Sequence, residues 1–459
     1  MIQFFRINDP YRMIFVFLTL VIIRSAWMIW GLPISVPELK WLLVGQRLGD
    51  GFVMYRDLYD HTGPLAAGVY EMLDVIFGRS RWVHIVFSTL LITVQAGILN
   101  NMLLKNKAFE ENTYIPAFLY VIVMSGIMDF FALSPQLMSL TFLLLALNHI
   151  FRRIDNVVSD ELFVYSGLYL AIATCFYIPS GIFILIFLLG FILFSSAVAR
   201  RLFLLLLNTF IVLAGIWIYF YWFRAGWDFV SDFFIVGFTK PVTYYIGRLD
   251  LFISGGGLLL AGLIGLMTLF TIRVTNFQLK IQQMMVAFLL AAGIVTFLSV
   301  DLMTADLVFF VPPIAFFLTH YLLNLKRKYW KPFMPVFIIS MLIAFPVFLI
   351  QKGQVDGLIV KDHEFGVDGK SLMGIGIPVS YYQEYKIAGP FLDDYVSRRK
   401  LADIDFYDSA SEVYEALVKS NPEVVIDHWG EAEKLFFRFP AFGERYEQMD
   451  ETTYRLKGD

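Results

Sequence analysis

Long apolar runs separated by short polar turns dominate the first three-quarters of the chain. A spanning helix needs about 20 mostly apolar residues, with a range of about 17–25. Eleven stretches meet or approach that length: Met13–Leu32, Trp82–Leu103, Tyr114–Phe131, Pro135–Phe151, Leu162–Tyr177, Ser180–Val198, Leu202–Phe223, Leu251–Ile272, Met284–Val300, Leu307–Leu325 and Pro332–Ile350. Beyond Lys361 the pattern becomes that of a soluble α/β domain. Ser371–Pro378, Ile404–Tyr407 and Glu423–Ile426 read as strands. Ser409 and Glu412 have capping-box spacing at the head of a helix running to about Lys419. Glu431–Phe437 reads as helical and Tyr446–Leu456 as a closing hairpin. The predicted architecture is a polytopic α-helical membrane domain of about 11 transmembrane helices over 1–350, followed by a small α/β domain over 351–459.

Composition agrees. Of 459 residues, 58% are hydrophobic and 16% charged, whereas an ordinary soluble domain has about 45–50% apolar and about 25% charged residues. Mean hydropathy is +0.68. A soluble enzyme, a disordered chain and a nucleic-acid binder are excluded on these grounds. The net charge of −3 divides into +5 through Gln351 and −8 from Lys352 onward, which sets the domain boundary near Ile350. The single cysteine, Cys175, lies in an apolar run, so there is no disulfide framework and no thiolate zinc site. The first apolar run is too long for a cleavable signal, and no small-residue cleavage site follows it.

Basic residues orient the spans. With the N-terminus in the cytoplasm, the cytoplasmic segments hold Arg6, Arg12, Lys105, Lys107, Arg152, Arg153, Arg200, Arg201, Arg273, Lys280, Lys326, Arg327, Lys328 and Lys331. The opposite loops are longer and poorer in basic residues. The odd number of spans then places the acidic C-terminal domain outside, together with the loops Pro33–Arg81 and Arg224–Asp250.

The first of these loops contains two pieces with helical apolar spacing. Trp41, Leu42 and Leu48 follow Pro37; Leu65, Val69, Leu73 and Ile76 follow Pro64. Each is expected to lie in the membrane interface, apolar face down. Between them lies a dense polar stretch: Asp50, Tyr55, Arg56, Asp57, Tyr59, Asp60, His61 and Thr62. Carboxylates held beside a lipid headgroup suit attack by an acceptor hydroxyl or amine on a sugar–phosphate carbon. A carboxylate takes the acceptor's proton, and cations or a metal stabilise the departing phosphate. The competing reading is that the stretch caps interfacial helices and solvates a loop.

Other polar residues sit near or within spans. Asp129 lies near the outer end of the third, and an intramembrane carboxylate is a functional candidate by default, unless the interface solvates it. Arg24, inside the first span, reads as a phosphate contact or as half of an ion pair. Asp301 and Asp306 bracket a short outer turn where solvation suffices. In the second outer loop Trp227, Tyr244 and Tyr245 read as interfacial anchors, and Lys240 and Arg248 as phosphate contacts. Gly255, Gly256 and Gly257 lack the spacing and lysine of a phosphate loop and read as a flexible helix start or close-packing site. His84, His149 and His320 show no ligand spacing and read as packing residues. In the tail, Asp427 with His428 reads as a surface turn, and the domain as one for substrate presentation or partner docking.

Three stretches resemble a known family. In the first outer loop, GDGFVMYRDLYDHTGPL places Asp57, Asp60, His61, Pro64 and Leu65 as in bacterial membrane glycosyltransferases of the GT-C superfamily, near the protein O-mannosyltransferase and lipid A aminoarabinose-transferase branch. The tail NPEVVIDHWGEAEKLFFRFPAFGERYEQMDETTYRL is similar to that family's closing segment. Asp129 followed by LSPQLMSLTFLLLALNHIFR resembles its third and fourth spans. The resemblance implies inverting transfer of a sugar from a polyprenyl-phosphate donor to a lipid, glycan or protein acceptor at the outer face of the bacterial cytoplasmic (inner) membrane, with the C-terminal domain in the periplasm. It implies Glu38 as base and Asp129 as a second acidic residue. Tyr55, Asp57, Asp60 and His61 then shape the acceptor site or a divalent-metal site (Mg or Mn), and Arg24, Lys240 and Arg248 contact the carrier phosphate. The family's first loop usually begins with an acidic pair; here Val36-Pro37-Glu38 supplies one carboxylate.

Two other classes compete. A GT-C-shaped protein that has lost its base would serve as an assembly partner of envelope or secretion machinery, docked to another membrane protein. A secondary transporter predicts repeated halves and midplane polar residues, whereas the polar residues here gather at one face.

Overall fold

The computed structural model describes residues 2–154, 159–195, 199–325, 330–353, 357–361 and 371–457. Lys326, Arg327 and Lys328, used above for orientation, lie outside the described residues, as do the side chains of Arg153 and Lys331. The chain forms two compact units. One comprises Met1–Pro33, His84–Ala214 and Val242–Leu358; the other comprises Ile34–Val83, Gly215–Pro241 and Ile359–Asp459.

The first unit is a helical bundle; among the described residues helix covers part of each of the eleven apolar runs, but in the third only Ile115–Val123 is α-helical. Among the described residues six helices are long and apolar enough to cross a membrane: Arg12–Ile29, Arg81–Lys105, Ala199–Trp222, Asn276–Leu298, Thr304–Leu323 and Phe333–Ile350. A further apolar pair, Arg248–Ser254 and Gly256–Thr271, is bent by 60° and forms either a broken span or a re-entrant loop. The chain is a multi-pass membrane protein. The bend falls at the Gly255–Gly257 run, where close packing decides the residue type: a Cβ on Gly256 would sit 2.8 Å from Phe345. The helix from Asn276 opens with a complete capping box, Thr275 with Gln278. His149 stacks on Tyr165 and Tyr169, and His320 meets Phe109 at a tilt and Phe316 edge-on, so both are packing residues.

The second unit joins the first loop, part of the second loop and the C-terminal region. Helix Val36–Gly49 starts at Ser35, whose hydroxyl accepts a hydrogen bond from the Glu38 amide at 3.3 Å, with Pro37 in its first turn. Helix Pro64–Phe77 starts at its proline. The two pack closely at Gly45, where a Cβ would meet the Tyr70 carbonyl oxygen at 2.7 Å. The expectation that both lie apolar face down in the interface fails for the first helix. Leu39, Trp41, Leu42, Leu43, Val44 and Leu48 are buried in protein, and so are its charged residues Glu38, Lys40 and Arg47. Only the second helix keeps an apolar exposed strip, of Met72, Val75, Ile76 and Phe77.

The C-terminal region is a five-stranded sheet with helices. Its strands are β1 (Ser371–Ile375), β2 (Lys386–Ile387), β3 (Val424–Asp427), β4 (Tyr446–Gln448) and β5 (Thr453–Leu456), in the order β2-β1-β3-β5-β4. β1 is parallel to β2 and β3, while β5 is antiparallel to β3 and β4. Met373, Val425 and Tyr454 lie in register across the centre and pack with Val396, Val413, Leu417 and Leu435. Ile404–Tyr407 is not a strand. It is a turn ahead of helix Tyr407–Ser420, because Phe406 and Tyr407 are exposed while the buried positions Val413, Ala416 and Leu417 recur with helical spacing. Ser409 consequently falls inside that helix rather than capping it. The helix Asp394–Ala402 escaped sequence reading because only Val396 and Leu401 form its apolar core face.

The Gly45 contact carries a prediction. Gly45→Ala forces the Val36–Gly49 helix off Tyr70 and costs about 1–3 kcal/mol, the usual range for overpacking. Thermal unfolding of the purified protein measures it.

Candidate functional site

The densest charge cluster lies inside the second unit. Lys40 comes from the first-loop helix, Asp60 and His61 from the stretch after it, Lys240 from the end of helix Val236–Thr239, and Asp393 from the residue before helix Asp394–Ala402. Backbone pairing brings them together: the Tyr59 amide donates to the Pro390 carbonyl at 2.7 Å, and the Asp393 amide to the Tyr59 carbonyl at 2.9 Å. Lys40 Nζ lies 2.6 Å from Asp60 Oδ1 and 3.3 Å from Asp393 Oδ2; Lys240 Nζ lies 2.7 Å from Asp393 Oδ2. His61 Nδ1 is 3.3 Å from the same Asp393 oxygen. The other Asp393 oxygen caps its helix, accepting from the Tyr395 and Val396 amides, and the other Asp60 oxygen accepts from the Thr62 amide and hydroxyl. Asp60, Lys40, Asp393 and Lys240 are all buried. Burial alone would raise the Asp393 pKa, but Lys40, His61 and Lys240 hold it well below the usual carboxylate range.

A second cluster sits beside it in the same unit. Lys400 donates to Asp228, and Arg399 to Asp232 at 3.3 Å. Asp232 is fully buried, and burial pushes its pKa up to about 6 against the pull of Lys400 and Arg399. Arg56 forks onto Asp57 through two bonds of 2.7 and 3.0 Å, and Lys419 reaches Asp57 at 3.2 Å. Those partners and the Val53 amide keep Asp57 below its ordinary range although burial opposes them. Tyr55, at φ +70°, donates its hydroxyl to the Thr62 carbonyl. Glu38 is 4% exposed and accepts from Arg81 Nε at 2.9 Å.

The remaining sequence-derived residues belong to the membrane unit. Asp129 lies in a 3₁₀ turn, Met128–Phe131, and is buried rather than solvated, accepting from the Thr304 hydroxyl. Arg24 donates to the hydroxyls of Ser88 and Thr89 and to the carbonyl of Phe130, bracing that turn. It therefore does not form the ion pair considered above: its hydrogen-bond acceptors are neutral groups. Asp306, expected to be solvated, is fully buried and accepts from Tyr177 and from Gln136 at 3.1 Å. Arg248 stands over the rings of Tyr244 and Phe297.

Lys40 and Asp393 were missed at the sequence level. Lys40 had a local signal, a lone cation between Leu39 and Trp41 in an otherwise apolar turn. Asp393 had only its place in an Asp-Asp pair, since its partners are more than 150 residues away. One ligand atom each from Asp60, His61 and Asp393 lie within 4.8 Å of one another, a donor set of two carboxylates and an imidazole that suits Mn²⁺ better than Mg²⁺. The charge does not suit it. The same two oxygens already face two ammonium groups, so the cluster is balanced without an ion.

No protein-family model and no curated protein matches the sequence. Among the solved structures that share the fold are two with a TM-score of 0.53. One is the oligosaccharyltransferase AglB of Archaeoglobus fulgidus, in complex with an inhibitory peptide and a dolichol-phosphate: TM-score 0.53, 11% identity, over 98% of this chain and 75% of that one. The other is ArnT of Cupriavidus metallidurans bound to undecaprenyl phosphate: TM-score 0.53, 11% identity, over 95% of this chain and 89% of that one.

Two pH effects of opposite sign follow from the carboxylates. Asp393 has a lowered pKa, so it stabilises the fold above the unfolded value of about 3.9 and loses that contribution as pH falls below it. Asp393→Asn lowers the melting temperature at pH 7, and the difference shrinks toward pH 3. Asp232 has a raised pKa, so its contribution is complete below about 4 and is lost as pH rises through about 6. Asp232→Asn removes that loss. Melting curves between pH 3 and pH 8 measure both.

Proposed function

We propose that this chain, built on the fold of the GT-C superfamily, is a membrane glycosyltransferase that moves a sugar from a polyprenyl-phosphate carrier to an acceptor hydroxyl or amine. The observation that carries the reading is the fold likeness over nearly the whole chain to AglB and ArnT, solved with a dolichol-phosphate and with undecaprenyl phosphate. The family resemblance supports a bacterial inner-membrane location, and the inside-basic turns support a cytoplasmic N-terminus and a periplasmic C-terminal domain.

In this reading the acceptor oxygen or nitrogen attacks the sugar's anomeric carbon. The bond from that carbon to the phosphate oxygen breaks, and the configuration inverts. Glu38 takes the acceptor's proton, with Arg81 fixing the orientation of its carboxylate. Asp129 is the second acidic residue, on a turn braced by Arg24. Arg24 and Arg248 are the cations assigned to the departing phosphate. Arg24 suits the role because a buried guanidinium held by neutral acceptors keeps its charge for an anion. Lys240 already faces Asp393 and serves the site by fixing it. Asp57, Asp60, His61 and Tyr55 line the acceptor side. The chemistry is routed through side chains, and a divalent ion enters only if it displaces the two lysines.

One observation favours the rival reading of a non-catalytic assembly partner for another membrane protein: Glu38, the lone carboxylate of its position, is buried against Arg81. Glu38→Gln and Asp129→Asn separate the two. Transfer predicts that Glu38→Gln lowers sugar transfer from polyprenyl-phosphate donor by about 10²–10⁴-fold, the usual worth of a general base, and that cells lose surface glycan or glycoprotein at normal protein levels. Unchanged glycans with failed complex assembly would establish the partner instead.

A further inference from the structure

We infer that the C-terminal domain carries a carbohydrate-binding groove, separate from the charge clusters above. The groove has a volume of about 1090 Å³ and runs between helices Asp394–Ala402 and Ala432–Arg438. Small-molecule sites commonly occupy about 300–1,000 Å³, so it is large enough for more than one sugar ring.

Its position follows from the sheet. The chain leaves β1 for β2 on one side and later returns to β3 on the other, so the strand order reverses between β1 and β3. In open α/β sheets, ligands gather outside the carboxyl ends of strands at such a reversal. The structure places Trp429 there. It is the second residue after β3, and its indole lies over Gly376, the residue that follows β1. A Cβ on Gly376 would be 2.0 Å from the indole nitrogen, and its φ of +72° also favours glycine. The loop is fixed by Asp427, which accepts from the amides of Trp429, Gly430 and Ala432. The Arg398 guanidinium stands 4.3 Å from the Trp429 ring, giving a rigid platform of indole and guanidinium.

The lining chemistry selects the ligand class. Arg398, Lys434 and Arg438 are offset by Asp405, Glu431 and Glu433, and Lys434 is already bonded to Glu431 at 2.7 Å. A nucleotide or polyphosphate therefore gains no net attraction. Leu401, Ile404 and Phe437 share the lining with carboxylates that can accept and guanidiniums that can donate. Phe437 is 88% exposed at the edge, and Phe406 and Tyr407, next to Asp405, are 68% and 82% exposed. Flat aromatic faces beside paired acceptors and donors match an uncharged oligosaccharide, whose rings present C–H faces and hydroxyl edges. The role of this groove in holding the sugar part of the acceptor rests on the transferase reading; the binding itself does not.

The test uses the full-length protein in nanodiscs and a panel of uncharged tri- to hexasaccharides of N-acetylglucosamine, mannose and glucose, read by saturation-transfer NMR and titration without donor. We expect at least one series to bind, and Phe437→Ala and Asp405→Asn each to weaken it at least tenfold at unchanged melting temperature, both positions being exposed. If no saccharide binds the wild type, or the substitutions leave binding unchanged, the inference is overturned; so it is if they abolish binding of an unglycosylated peptide or a lipid vesicle instead. Saccharide binding without any sugar transfer would overturn the transferase reading alone, and transfer without saccharide binding would overturn the groove alone.

Discussion

One carboxylate, that of Asp393, organises the second unit. One of its oxygens faces Lys40 from the first loop and Lys240 from the second, and the other caps the helix that begins the C-terminal domain's first long crossover. Burying a carboxylate is expensive unless it is paired and hydrogen-bonded. Here every element that contributes a partner must be in place before the charge is satisfied. Removing one member of such a buried set usually costs about 3–5 kcal/mol, because the others are left uncompensated. The loops and the domain are thereby made interdependent, although nothing in the covalent chain ties them.

That dependence explains other features of the unit. Lys400 with Asp228, Arg399 with Asp232 and Lys419 with Asp57 repeat the arrangement along the same elements, each pairing a basic residue of the C-terminal region with an acid of a loop. The excess of acid in the tail is thus only part of its electrostatics, because Arg399, Lys400 and Lys419 are spent on the loops. The polar stretch, for which a solvated loop is the competing sequence reading, is from Tyr55 to Thr62 a largely buried, bonded element. Such rigidity is what a transferase needs in order to hold an acceptor in one orientation.

Much of the membrane unit was legible in the sequence because its signal is local. An apolar run declares a helix by length, and Pro37, Pro64 and Thr275 mark helix starts through the first turn they occupy. The strands around Ser371 and Val424 and the hairpin from Tyr446 were likewise readable from short apolar runs. Burial of charge was not readable. Asp306 reads as solvated in sequence, and solvation is an open alternative for Asp129 and Asp60, because their partners Tyr177, Thr304 and Lys40 come from elsewhere in the chain. The Val36–Gly49 helix was misjudged for the same reason: its apolar face predicts a flat surface beneath it, and the surface is protein. Asp393 drew no attention because a helix cap is common and its two lysines are distant in sequence.

The sites proposed for transfer and for sugar binding depend differently on this constraint. Glu38 and His61 share elements with Lys40 and Asp60, so the proposed base and acceptor side inherit the order imposed by Asp393. The groove beside Trp429 is set by the sheet and by Asp427. The two loops and the C-terminal domain fold as one unit around Asp393, which hydrogen–deuterium exchange on wild-type and Asp393→Asn protein tests directly. A joint loss of protection in residues 34–62, 228–240 and 391–402 is expected, while β3 and β5 stay protected. A loss confined to 391–402, with both loops exchanging as in the wild type, would contradict it.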